Sequence, residues 1–111
     1  MSVDVLKQEF VPKYLAVGDG RFYRFLLTYA LNKLIGMERQ ATEKKSPIEM
    51  VPPDLELLEY YEKFLVLYRR EGDVVYLEIA SLFRKAAHRI YRIMLKRSMT
   101  VPNAKFLHLV S

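Results

Sequence analysis

Gly72-Asp73 interrupts two long stretches of helical periodicity, and no other pair of residues restricts the fold so narrowly. Glycine accepts the left-handed backbone that follows a helix, and aspartate caps the helix that comes next. With only this pair between them, the flanking segments must fold back on each other as a tight helical hairpin. Upstream, a helix is predicted to open at Pro53 or Asp54, where proline's missing N–H has no intrahelical partner, and to run to about Arg70. Its expected core stripe is Leu55, Leu58, Tyr61, Leu65 and Tyr68. Downstream, the longest helix is predicted from about Asp73 to about Met99. It sets Tyr76, Ile79, Phe83, Ala86, Ile90 and Ile93 on one face and Glu78, Ser81, Lys85, Arg89, Arg92 and Lys96 on the other.

The first 42 residues hold two more helical patterns. Val3, Leu6 and Phe10 recur at helical spacing after Ser2, whose hydroxyl suits an N-cap. Pro12 is expected to break this first helix, and Gly18-Asp19-Gly20 to end it. A second helix is predicted from about Arg21 to about Thr42, with a polar stripe at Arg21, Arg24, Thr28, Asn32 and Gly36 and a wide apolar arc elsewhere. Residues 43–53 contain Pro47, Pro52 and Pro53 and read as the longest loop. Pro102 closes the last helix, leaving an apolar tail over 100–111. No sustained two-residue alternation and no repeat appears, so the expectation is all-α: one domain over 1–111, a small antiparallel bundle of about four helices, with the hairpin between helices three and four.

Composition removes several chemistries. There is no cysteine, hence no disulfide framework, zinc-thiolate site or thiol nucleophile. Arg24, Asn32 and Lys33 interrupt the most apolar region, so no stretch reaches the roughly 18–20 apolar residues of a membrane span. The first residues lack a basic run followed by an apolar core, and the cytoplasm is the default location.

The distribution of charge is the strongest functional signal. All 13 acidic residues lie at or before Glu78. Residues 79–111 hold seven cations and no acid, so they carry +7 while residues 1–78 carry −2, in agreement with the total of +5. Arg84, Lys85, Arg89, Arg92 and Lys96, with His88 among them, recur at steps of three and four along one helix, the pattern that attracts phosphate backbones. A competing arrangement would neutralise them internally. In a hairpin about Gly72, Glu62, Glu59 and Glu56 come level with about Leu82, Lys85 and His88, so the acids of helix three would face the bases of helix four.

Side chains with catalytic or ligating potential do not converge in the sequence. Ala87-His88-Arg89-Ile90-Tyr91-Arg92 sets a histidine among cations, but Tyr91 and Arg92 stand where the histidine-containing phosphotransfer domain carries lysine and glycine, so His88 reads as a solvated helix-surface residue. Neither histidine has a glutamate three positions before it, the spacing of a helical di-iron site, and neither a metal nor a cofactor is indicated. The serines lack an adjacent base, and Glu56 and Glu59 are expected to be exposed rather than tuned for acid–base work. Phe22-Tyr23 and Tyr60-Tyr61 are adjacent aromatic pairs, and neighbouring helical positions cannot all point inward, which makes these four residues interface candidates. The sequence therefore points to a non-enzymatic module that binds a protein partner or a second copy of itself, with nucleic acid on the basic helix as the alternative.

Overall fold

The computed structural model describes residues 2–42 and 51–100, which form three helices and no strand: α1 (Val3–Thr42), α2 (Pro53–Glu71) and α3 (Val74–Thr100). Three of the boundaries have a local cause in hydrogen bonding. Ser2 Oγ accepts from the Val5 N–H at 3.3 Å. Gly72 adopts φ 75°, and its N–H donates to the Tyr68 carbonyl, closing α2. Asp73 Oδ1 then accepts from the Val75 N–H at 3.0 Å and starts α3. The hairpin expected at Gly72-Asp73 is present, and α2 with α3 forms the largest helix–helix interface.

The count of helices differs from the expected four. Gly18 leaves the helical region, with φ 79° and ψ 175°, so the first helical limb ends where the sequence placed its end; helical geometry resumes at once, and α1 is two limbs joined directly at a kink instead of two helices separated by a turn. The short flanking residues need no loop because a single glycine in this backbone region redirects the chain. Pro12 does not break the helix. Both Pro12 and Gln8 are exposed, so the carbonyl that loses its donor at position 12 faces water instead of the core. The proline-containing loop assigned to 43–53 and the tail assigned to 100–111 lie, apart from 51–53 and the end of α3, outside the described residues.

The kink folds residues 3–17 back so that both limbs of α1 contribute to one core. Phe83 of α3 is its hub. Its ring lies 5.1 Å from Phe10, 5.5 Å from Phe64, 5.7 Å from Tyr60 and 5.9 Å from Phe22, mostly edge to face, the arrangement that aromatic quadrupoles prefer. Leu6, Leu26, Leu34, Leu57, Leu67, Ile79 and Ile90 complete the enclosed cluster.

Helix α2 is rotated by one position from the expected stripe. Leu57, Phe64 and Leu67 are fully buried, whereas Leu58, Tyr61, Leu65 and Tyr68 lie half-buried along its flank and Leu55 is exposed. The rotation carries Asp54 and Glu56 inward, to 4% and 8% exposure. A pattern reading turns acids outward because an unpaired buried charge is costly. Here Glu56 is compensated from α1, and the large Phe64 ring takes the central position.

Candidate functional site

Arg84, Lys85, His88, Arg89, Arg92 and Lys96 are all exposed on the outer side of α3, opposite the buried positions Tyr76, Ile79, Phe83, Ala86, Ile90 and Met94. At 1.5 Å per residue the row from Arg84 to Lys96 is about 18 Å long. Its borders are aromatic. The Arg84 guanidinium lies 5.9 Å from the ring centre of Tyr61 on α2, and the Lys85 ammonium 5.5 Å from that of Tyr23 on α1. Tyr23 and Tyr61 thus mark the two edges of the cationic face, each half-buried beneath a basic side chain.

The other two aromatic candidates belong elsewhere. Phe22 has no exposed surface and is a core residue, because its ring packs against Phe10, Tyr14 and Phe83. Tyr60 is half-buried with its ring 5.9 Å from that of Phe10 on α1, and its hydroxyl donates to Glu56 Oε1 of its own helix at 2.7 Å. Neither serves as a surface contact.

The acids of α2 do not reach the bases of α3. Glu56 accepts from the hydroxyl of Tyr29 at 2.5 Å as well as from Tyr60, and its second oxygen meets the Lys33 ammonium of α1. Burial pushes the Lys33 amine below its ordinary value, and it also pushes the Tyr60 phenol up. Glu59 pairs along its own helix with Lys63 at 3.1 Å, and Glu62 is exposed without an ion pair among the described residues. Level along the hairpin is not the same as facing across it: the rotation of α2 sends Glu56 to α1 and leaves Glu59 and Glu62 on the outside. Arg84, Lys85, Arg89 and Arg92 consequently have no carboxylate partner among the described residues, while Arg97, one step past the row, pairs with Glu38.

Two further polar features accompany this face. Between α2 and α3 runs an open groove of about 270 Å³, lined by Asp54, Leu55, Leu58, Ala87, His88 and Tyr91. Asp54 Oδ1 is buried there without a hydrogen-bond donor among the described residues, and burial pushes the carboxyl above the ordinary value of 3.8 against the opposing pull of the Leu55 and Asp54 backbone N–H groups. At the kink, the Tyr14 hydroxyl lies 2.6 Å from Asp19 Oδ1 and 2.8 Å from Glu78 Oε2, bridging α1 to the start of α3. The hydrogen bond to Asp19 is the main cause of a strongly raised Tyr14 phenol, with burial and the bond to Glu78 adding to it. Sequence reasoning missed Asp54 because an acid just after Pro53 reads as an ordinary first-turn residue favoured by the helix dipole. The available signal was its spacing of one helical turn from Leu58, on the flank that meets α3.

Among the described residues no cluster of three or more His, Cys, Asp or Glu could hold a metal ion, and no helix is long and apolar enough to cross a membrane. Fold and surface together define a three-helix bundle with a cationic outer face on its last helix. No protein-family model, curated protein or solved structure matches the chain.

Proposed function

We propose that this chain is a non-enzymatic binding module whose working surface is the outer face of α3, and that its partner is the phosphate backbone of nucleic acid. The observation that carries this reading is the unpaired state of Arg84, Lys85, Arg89 and Arg92 in a fold whose other helices engage several of their charges in ion pairs. Cations held on a rigid helix at steps of one turn, with no counter-charge among the described residues, attract a polyanion and release its counterions on contact. His88 stands within this row and supplies a further hydrogen-bonding group at its centre.

The test is fluorescence anisotropy of labelled single-stranded and duplex oligonucleotides over a range of salt concentrations. The expected result is binding whose log affinity falls steeply with log salt, with a slope of several units. No binding at low salt would overturn the proposal.

A second reading, assembly with a protein or with another copy of the chain, draws on a different observation. Upstream of the basic row, two apolar side chains of α3 stand exposed: Val74 at 57% and Leu77 at 38%. Sedimentation velocity across a concentration series tests it, and a monomer at every concentration would remove self-assembly.

A further inference from the structure

The groove between α2 and α3 opens beside the basic row, and its chemistry differs from that of the row. Leu55, Leu58 and Ala87 make its walls apolar, Tyr91 and His88 contribute aromatic rings, and beneath them lies Asp54 Oδ1, a buried acceptor without a hydrogen-bond donor among the described residues. Asp54 itself is 4% exposed. A buried acceptor without a donor is destabilising, more so when charged, so a ligand that brings an N–H to it recovers part of that loss.

An ammonium or guanidinium head would supply the N–H, but it would have to approach past His88 with Arg84 one helical turn before it and Arg92 one turn after. A neutral amino group on a flat ring avoids that repulsion, and an attached phosphate would be drawn to the same two arginines. The groove is slightly below the usual 300–1,000 Å³ of small-molecule pockets, which suits a single base and not a larger ligand.

We infer that this groove accepts one unstacked base of a single-stranded nucleic acid, and that Asp54 selects bases carrying an exocyclic amino group, cytosine over uracil among the pyrimidines. The inference rests on the reading of α3 as a phosphate-binding face. The base seats by parting the side chains of Leu55 and Tyr91 at the groove's rim, lies against Tyr91 and His88, and donates from its amino group to Asp54 Oδ1. Carboxylates accept from the cytosine amino group in just this way, and uracil presents a carbonyl oxygen at the same place. Duplex is excluded from this contact, because a paired base cannot leave its stack without unpairing.

Anisotropy titrations of labelled oligocytidylate and oligouridylate, identical in length and salt, test the selection in the native protein and in Asp54→Asn. The native protein should bind the cytidine strand about tenfold more tightly, the worth of one hydrogen bond to a charged acceptor. In Asp54→Asn, whose amide offers a donor as well as an acceptor, the ratio should fall close to one with the uridine affinity changed less than twofold. The ratio does not depend on the fraction of variant that folds. Equal affinities in the native protein, or a tenfold ratio retained by Asp54→Asn, would overturn the inference while leaving the phosphate-binding face intact. No binding of either strand at low salt would bring down both.

Discussion

Charge is handled differently on the two sides of this bundle. Where α1 meets α2, cations and acids are matched: Lys33 with Glu56, Lys7 with Glu71 at 2.7 Å, Arg70 with Asp4 at 2.7 Å. On the outer side of α3, Arg84, Lys85, Arg89 and Arg92 stand without an acid among the described residues. The α1–α2 pairs fix the relation of two helices whose residues are distant in sequence, and their removal should be felt as stability. Arg89 and Arg92 make no such pair among the described residues, and their removal should be felt only by a partner. The same residue types therefore serve structure on one side and recognition on the other, and that contrast can be tested at four strengths.

The largest effect is expected at Glu56. Glu56→Ala leaves Lys33 partly buried with no counter-charge and takes the acceptor from the Tyr29 and Tyr60 hydroxyls, so urea unfolding should show a loss of about 2–4 kcal/mol. A loss below about 1 kcal/mol would mean that the matched side is no more structural than the unmatched one. Next comes the double reversal Arg89→Glu with Arg92→Glu. It should change stability by no more than about 0.5 kcal/mol, as exposed substitutions do, while lowering oligonucleotide affinity at least tenfold and flattening its salt dependence by roughly 0.7–0.9 per lost contact. Lost stability without lost affinity would invert the comparison.

Asp54→Asn should act in the opposite direction on stability. Burial raises the Asp54 carboxyl, so the folded protein binds this proton up to a higher pH than the unfolded chain does. The charged form weakens the fold above the raised value, and the penalty disappears as the pH falls toward 3.8. Near neutral pH the variant should therefore melt higher than the native protein by about 4 °C, for roughly 1 kcal/mol, and the advantage should shrink on acidification. A pH-independent difference would remove burial of charge as its cause. The smallest effect belongs to Lys63→Ala, which breaks the pair with Glu59 one turn away on the same helix and should cost about 0.3–0.5 kcal/mol by thermal melting.

Legibility in the sequence followed the same division. The outer face of α3 was readable because its periodicity is unambiguous: every residue assigned to the polar side between Glu78 and Lys96 is exposed. The turn at Gly72-Asp73 was readable because glycine and aspartate each meet a backbone requirement that few residues can. Helix α2 was not, since apolar residues cover two adjacent stripes and either rotation buries a plausible set. What decides between them is a contact with α1, where Tyr29 and Lys33 wait 27 and 23 residues before Glu56, and no local pattern records such a meeting. The same rotation hid the fate of the acids, so that a neutralised basic face looked reasonable on spacing alone. The groove over Asp54 was illegible for a related reason, being a product of how two helix flanks fit together. Pro12 shows the reverse error, a strong local signal for interruption that a solvent-facing carbonyl absorbs, whereas Gly18 does interrupt the helix and only the turn expected after it is missing.

The kink at Gly18 has a stereochemical meaning of its own. With φ 79° and ψ 175° it occupies a region that L-residues avoid, yet a Cβ built there meets nothing within 4 Å. Handedness, not space, reserves the position for glycine. Reflected, the same angles are those of an ordinary extended residue, so one unit of the opposite chirality would be at home in the middle of an otherwise right-handed helix. A chain assembled chemically with D-alanine at this point would keep the bend that lets one helix wall two sides of the core, and would lose some of the freedom that glycine gives the unfolded state.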